Sequence, residues 1–279
     1  MRGQPTLPGL HTFRIGAAGI EVFPPARVPV PVLVDASDSR LLTGVPRLDE
    51  MLGGGLPRGY SLLVAGPSGS GKSILAAAFL AEGARCGETG VVVVFEQHPG
   101  RSRHRMLAEL IDAGRVGLVD TRSPDLSIDE IVLLIMGEIR RLGANRVVID
   151  SLSGFELALA PTFREDFRES LSRLITALAA TGVTVLLTSE LEDRYTDLRF
   201  SPYGTAFLTD AIVVQRYIEV DSRLLRVMAV VKVRGSTHSD HLRLFSIDDD
   251  GIHVGERLRG HEGLLGGRPT GKLDHCPAP

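Results

Sequence analysis

Eight consecutive residues, Gly66-Pro67-Ser68-Gly69-Ser70-Gly71-Lys72-Ser73, have the types and the spacing to hold a phosphate group. Glycines let successive backbone N–H groups turn inward around an anion, a lysine neutralises the outer phosphates, and a small hydroxyl after it can hold Mg²⁺. The pattern G-x-x-x-x-G-K-[ST] carries this meaning only between a strand and a helix. The apolar run from Ser61 to Ala65 supplies the strand, and the Ala/Leu-rich stretch from Ser73 to Arg85 supplies the helix. The segment therefore reads as a P-loop.

Other candidate groups close apolar runs or lie in strands. Asp150 follows Arg146-Val147-Val148-Ile149 and fits the acid that holds Mg²⁺ through water in P-loop proteins. Glu96 follows Gly90 to Phe95 and is the candidate base that would orient and deprotonate an attacking water or hydroxyl. Thr188 and Ser189 close a third run and are candidates to sense phosphate by hydrogen bond. Downstream lies Lys232-Val233-Arg234-Gly235-Ser236-Thr237-His238, where strand alternation puts Lys232 and Arg234 on one face. Two like charges side by side need a counter-charge, and a neighbouring subunit's triphosphate would supply one, in the manner of an arginine finger. Only three of the 31 basic residues are lysine: Lys72, Lys232 and Lys272. A compact ammonium in a chain that otherwise uses arginine singles out Lys72 and Lys232.

These groups must be positioned by a sheet. Buried runs at Gly90–Gln97, Val116–Asp120, Arg146–Ser151 and Val183–Ser189 alternate with helical stretches near Ser102–Ala113, Ser127–Gly143 and Arg164–Ala180. Continuous apolar strands of this kind belong inside a parallel sheet covered on both faces, and the alternation is that of an α/β doubly wound fold. Ligands of such folds bind beyond the carboxyl ends of the strands. After Asp210 the pattern changes to hairpins, 211–220 with 224–233 and then 242–254, expected to extend one edge antiparallel. The last of these has a double near the start of the chain. Phe13-x-Ile15-x-x-x-Gly19-Ile20-x-Val22 repeats as Phe245-x-Ile247-x-x-x-Gly251-Ile252-x-Val254. The expected organisation is a hairpin and Pro-rich arm over 1–40, a nucleotide-binding domain over 41–258 and a tail over 259–279.

Composition narrows the field. With 279 residues and 43% hydrophobic content the chain can bury a full core. No apolar run approaches the roughly 18 residues of a membrane span. The first residues lack the pattern of a targeting peptide, so a cytoplasmic protein is expected. Cys86 and Cys276 suggest neither a disulfide framework nor a metal cluster. A net charge of -3 argues against a chain built to coat nucleic acid.

With these residues in view, the chain resembles the RecA-like ATPase domain of the KaiC family. The resemblance is carried by TGVPRLDEMLGGGLPRG, GPSGSGKS, FEQH, RVVIDSLS, TDAIVVQRY and KVRGSTH, between Thr43 and Val254. It implies a Mg²⁺-dependent ATPase in a hexameric ring of identical subunits, hydrolysis serving conformational signalling to a protein partner. Within such a ring Lys72 and Ser73 would act in cis, while Lys232, Arg234, Arg226 and His238 would reach the neighbour's nucleotide. The chain resembles the second of the family's two tandem domains, preceded by a stub of the first. Two departures stand out. Gln97 replaces the second of two adjacent glutamates, leaving the base function to Glu96, and Ala206 and Phe207 replace the Ser-Thr pair that the clock protein autophosphorylates. Three alternatives stay open: a nucleic-acid-associated ATPase, a Ser/Thr (auto)kinase using Thr205, Ser201 or Tyr203, and a nucleotide-gated scaffold without turnover.

Overall fold

Alternation in the first described segment folds into the hairpin β1 (Thr12–Gly16) and β2 (Gly19–Phe23). The computed structural model describes residues 11–24, 39–95, 105–121, 125–191, 207–220, 222–258, 261–262 and 270–271. A two-residue pair, β3 (Arg40–Leu41) with β4 (Leu56–Pro57), brackets the short helix α1 (Pro46–Met51), which opens on a proline and ends before three glycines. Then come β5 (Ser61–Gly66), helix α2 (Lys72–Arg85) and β6 (Gly90–Val94). A helix Arg105–Asp112 leads into β7 (Val116–Asp120), and a helix Ile128–Leu142 leads into β8 (Arg146–Asp150).

Beyond β8 the helical expectation needs correction. The helix expected over 164–180 is two, Pro161–Glu165 and Phe167–Ala179, broken at Asp166, whose ψ of 54° is not helical. An unexpected helix, Leu152–Ala158, starts directly after β8, where Ser151 caps it by accepting the Gly154 N–H. At seven residues it is too short a window to show a helical period. Ser127 accepts the Glu130 N–H, half of a capping box, but the Glu130 carboxylate takes Arg14 of β1 at 2.9 Å.

Among the described residues the main sheet has nine strands in the order β13-β12-β11-β10-β5-β9-β8-β6-β7, where β9 is Thr184–Glu190, β10 Ala211–Val220, β11 Arg223–Val233, β12 Arg243–Asp248 and β13 Gly251–Arg257. From β10 to β7 every neighbouring pair is parallel, and the three pairs from β13 to β10 are antiparallel. Successive residues of the central strands feed opposite cores. Leu63, Val93, Ile149 and Leu187 join the helices 128–142 and 167–179, whereas Leu62, Val92, Val148 and Leu186 pack with α1, α2 and the β12–β13 hairpin. This double burial explains the unbroken Val/Ile/Leu runs and leaves the strand ends as the exposed functional edge. Among the described residues, no helix is long and apolar enough to cross a membrane.

The repeated motif is a repeated hairpin. Phe13 pairs Val22 and Ile15 pairs Ile20, just as Phe245 pairs Val254 and Ile247 pairs Ile252. Their environments are opposite. Phe245, Ile252 and Val254 are buried, while Phe13, Ile15, Ile20 and Val22 are exposed.

Candidate nucleotide site

The P-loop is the turn from β5 into α2, and its glycines are dictated by close neighbours. A Cβ on Gly66 would lie 2.7 Å from Ser70 Oγ and 2.8 Å from the Gln215 carbonyl, and Gly71, at φ +100°, would meet Ile247 Cδ1 at 2.5 Å. Side-chain-bearing residues disfavour that φ as well. Ser70 is fully buried, and its hydroxyl donates to Gln215 Oε1 at 3.0 Å, so β10 supports the loop from below. Tyr217, two residues along β10, brings its hydroxyl close to Gly69.

Helix α2 begins with no side-chain cap and no acidic residue in its first turn. Its first N–H groups and the positive end of the helix therefore face the cleft. Lys72 Nζ donates to the loop's own Gly66 and Pro67 carbonyls at 2.8 and 2.7 Å. Burial pulls the Lys72 ammonium below its ordinary pKa, against the opposing pull of the Glu190 and Asp150 carboxylates. A cleft of about 330 Å³ is lined by the loop, Lys72, Ser73, Asp150, Ser151 and Glu190. A larger groove of about 480 Å³ lies between the β1–β2 hairpin and Asp125–Glu130, but its cation Arg14 is already paired with Glu130. The smaller cleft gathers the P-loop residues with Asp150 and Glu190.

Asp150 sits at the carboxyl end of β8 and accepts a hydrogen bond from Thr188 Oγ1 at 2.5 Å. Exposed Ser73 and half-buried Asp150 share the cleft with Lys72, a hydroxyl-plus-carboxylate set of hard oxygens that suits Mg²⁺. Ser68, Gly69, Gly71, Lys72, Ser73 and Asp150 are thus brought together as the spacing predicted. Glu96 and Gln97 lie outside the described residues, as do Ser201, Tyr203, Thr205 and Ala206. Ser189 is not brought to the cleft: its side chain is fully buried, and its hydroxyl finds no partner among the described residues. Glu190 occupies the cleft instead.

Lys232 and Arg234 lie elsewhere. Lys232 pairs Ile212, which pairs Leu63 in β5, so Lys232 is level with the amino half of β5 and not with the P-loop at its carboxyl end. Lys232 Nζ donates to the Thr209 carbonyl at 2.6 Å, and Arg234 reaches Asp210 and the Phe207 carbonyl. Both cations turn onto the same short segment, as expected of residues on one face. Burial first, and then the neighbouring Arg234 charge, pull the Lys232 ammonium below its ordinary value. His238 Nδ1 lies 3.1 Å from the Ser239 carbonyl in the loop beyond. Arg226 is separated from this group. It stacks over Tyr217 with 5.4 Å to the ring centroid, six residues or roughly 20 Å along β11 from Lys232 and on the side of its own P-loop.

Gln215, Tyr217 and Glu190 adjoin the candidate site without having been singled out from the sequence. One signal existed: a glutamine directly after the apolar run Ala211–Val214, in the same strand and fully buried, asks for a polar partner.

Comparison with known proteins gives the family. Residues 41–259 match the sequence model of the family described as "ATPase: KaiC". The circadian clock oscillator protein KaiC of Rippkaea orientalis is 27% identical over 276 residues, 97% of this chain and 52% of that protein. The chain therefore spans about half the length of the KaiC proteins it matches. A UPF0273 protein of Aeropyrum pernix is 33% identical over 236 residues, covering 77% of this chain and 93% of that one. Among solved structures, a KaiC-like protein from the archaeon Pyrococcus horikoshii superposes with a TM-score of 0.69 at 31% identity, over 78% of this chain and 99% of that one.

Proposed function

Because this chain belongs to the KaiC family of RecA-like ATPase domains, we propose that it binds Mg²⁺-ATP at the β5–α2 loop and hydrolyses it. The observation that carries this reading is the convergence of an uncapped helix start, Lys72, Ser73 and Asp150 on one cleft beyond the strand ends. On nucleotide binding, Lys72 leaves the Gly66 and Pro67 carbonyls for the outer phosphates, and the loop N–H groups enclose the same oxygens. Ser73 and Asp150 hold Mg²⁺, which supplies neutralisation of charge on the phosphoryl oxygens.

Hydrolysis then requires an oriented water. Its oxygen bonds to the terminal phosphorus, the bond from phosphorus to the bridging oxygen breaks, and that electron pair leaves with ADP. The proton released by the water passes to Glu96, the base assigned from the strand-end pattern. Lys232 and Arg234, with His238 beside them, complete the site of a neighbouring subunit in a ring of identical chains, where they stabilise charge on the transferring group. In this reading turnover changes the ring's conformation and is read by a protein partner.

The testing experiment pairs nucleotide binding with phosphate release. Lys72→Ala should weaken Mg²⁺-ATP binding at least ~100-fold, because it removes the charge facing the outer phosphates from a half-buried site. Binding by the variant equal to the parent, in a titration of fluorescent nucleotide, would overturn the site assignment.

A further inference from the structure

A glutamine deep in β10 is out of keeping with its surroundings. Gln215 follows Val214, which pairs Ala65, so it lies level with Gly66 at the start of the P-loop. It shares a face with Ala211 and Val213, which pack with α1 and α2, and its cross-strand partner in β11 is the buried Met228. Gln215 is fully buried there, and its Nε2 has no hydrogen-bond partner among the described residues. A leucine would fill similar space without an unpaired donor, so the glutamine is kept at a cost to stability.

What offsets that cost lies in the loop. Gly69 and Gly71, at φ +75° and +100°, flank Ser70. Glycine takes such angles without strain, so this stretch is free to pivot unless its middle is fixed. Ser70 is that middle. Its N–H donates to the Pro67 carbonyl at 3.2 Å, and its hydroxyl donates to Gln215 Oε1 at 3.0 Å. The first bond lies within the loop and moves with it, whereas the second ties the loop to the central sheet.

We infer that Gln215 is a positioning residue of the nucleotide site, holding Ser70 so that the loop keeps its anion-receiving shape before nucleotide arrives. This rests on the nucleotide-binding reading above. Gln215 is enclosed and offers a ligand no surface, so it acts through Ser70. A loop that holds the competent shape for only a fraction of the time binds with its affinity reduced by that fraction.

Two variants test this, read by thermal unfolding and by titration and stopped-flow mixing with a fluorescent Mg²⁺-ATP analogue. Gln215→Leu should raise the Kd at least about tenfold, the population of competent loop having fallen by that factor. The loss should lie in slower association, with dissociation within about twofold of the parent, because bound phosphate itself holds the loop. Gln215→Leu combined with Ser70→Ala removes both partners and leaves no orphaned hydroxyl, so its Tm should equal or exceed the parental value while the Kd stays raised. A glutamine that served stability alone would give back affinity together with Tm. A parental Kd in the double variant overturns the inference, and so does a raised Kd carried by faster dissociation. The parent run alongside separates the two levels. A parent that does not bind the analogue removes the nucleotide reading itself, whereas normal parental binding with unaffected variants removes the role of Gln215 alone.

Discussion

Arg146 and Glu88 show how far a single residue's role can lie from its local sequence. Arg146 opens β8, yet its guanidinium is enclosed, stacked 4.6 Å over the Phe79 ring and bonded to Glu88 at 2.7 Å and to the Leu42 and Phe79 carbonyls. Burial raises the Glu88 carboxyl, but hydrogen bonds from Arg146 and Arg58 outweigh it and hold the group below its ordinary value of 4.5. A carboxyl depressed by folding contributes stability that is fully present above the unfolded value and lost as pH falls through the folded one. Thermal unfolding followed from pH 7 downward should therefore show a Tm that falls below about pH 4.5. Glu88→Gln should flatten part of that limb and destabilise the neutral protein by about 3 kcal/mol, since it leaves a buried guanidinium short of its counter-charge. Legibility at this scale follows sequence distance. The P-loop is one continuous segment and Asp150 closes an apolar run, so both could be read, but Ser70 and Gln215 meet across 145 positions. Glu190 was missed because the apolar run seemed to end at Ser189, one residue before the strand does.

Among elements, the two hairpins form an internal control. The same Phe, Ile, Ile and Val occur in the same register, enclosed against α1 and α2 at one end of the chain and exposed at the other. Burial, not pairing, should set their energetic weight. Phe245→Ala is expected to cost about 3–4 kcal/mol by lost burial and a residual cavity. Phe13→Ala, at 60% exposure, should stay within about 0.5 kcal/mol. Urea titrations of both variants would check this, and equal losses would show that the first hairpin is covered in solution. The parallel strands were legible because burial on both faces leaves unbroken apolar runs. The helix 152–158 and the break at Asp166 were not, because short capped helices are decided by hydrogen bonds at their ends more than by hydrophobic period.

In the whole molecule, the sheet separates two sets of charges. The phosphate loop leaves the carboxyl end of β5, while Lys232 and Arg234 fasten onto residues 207–210 beside its amino end, where Asp210 also binds Ser61. A chain so built presents a socket at one edge and the cations proposed to complete a neighbour's socket at the other. Two inactive variants should therefore repair each other. Lys72→Ala offers intact cations without a working loop, and Arg234→Ala offers an intact loop without its distant arginine. Mixing the purified variants under Mg²⁺-ATP should restore phosphate release to a sizeable fraction of the parental rate. Dilution of the parent should in turn lower turnover per chain, giving a rate that rises faster than the first power of protein concentration.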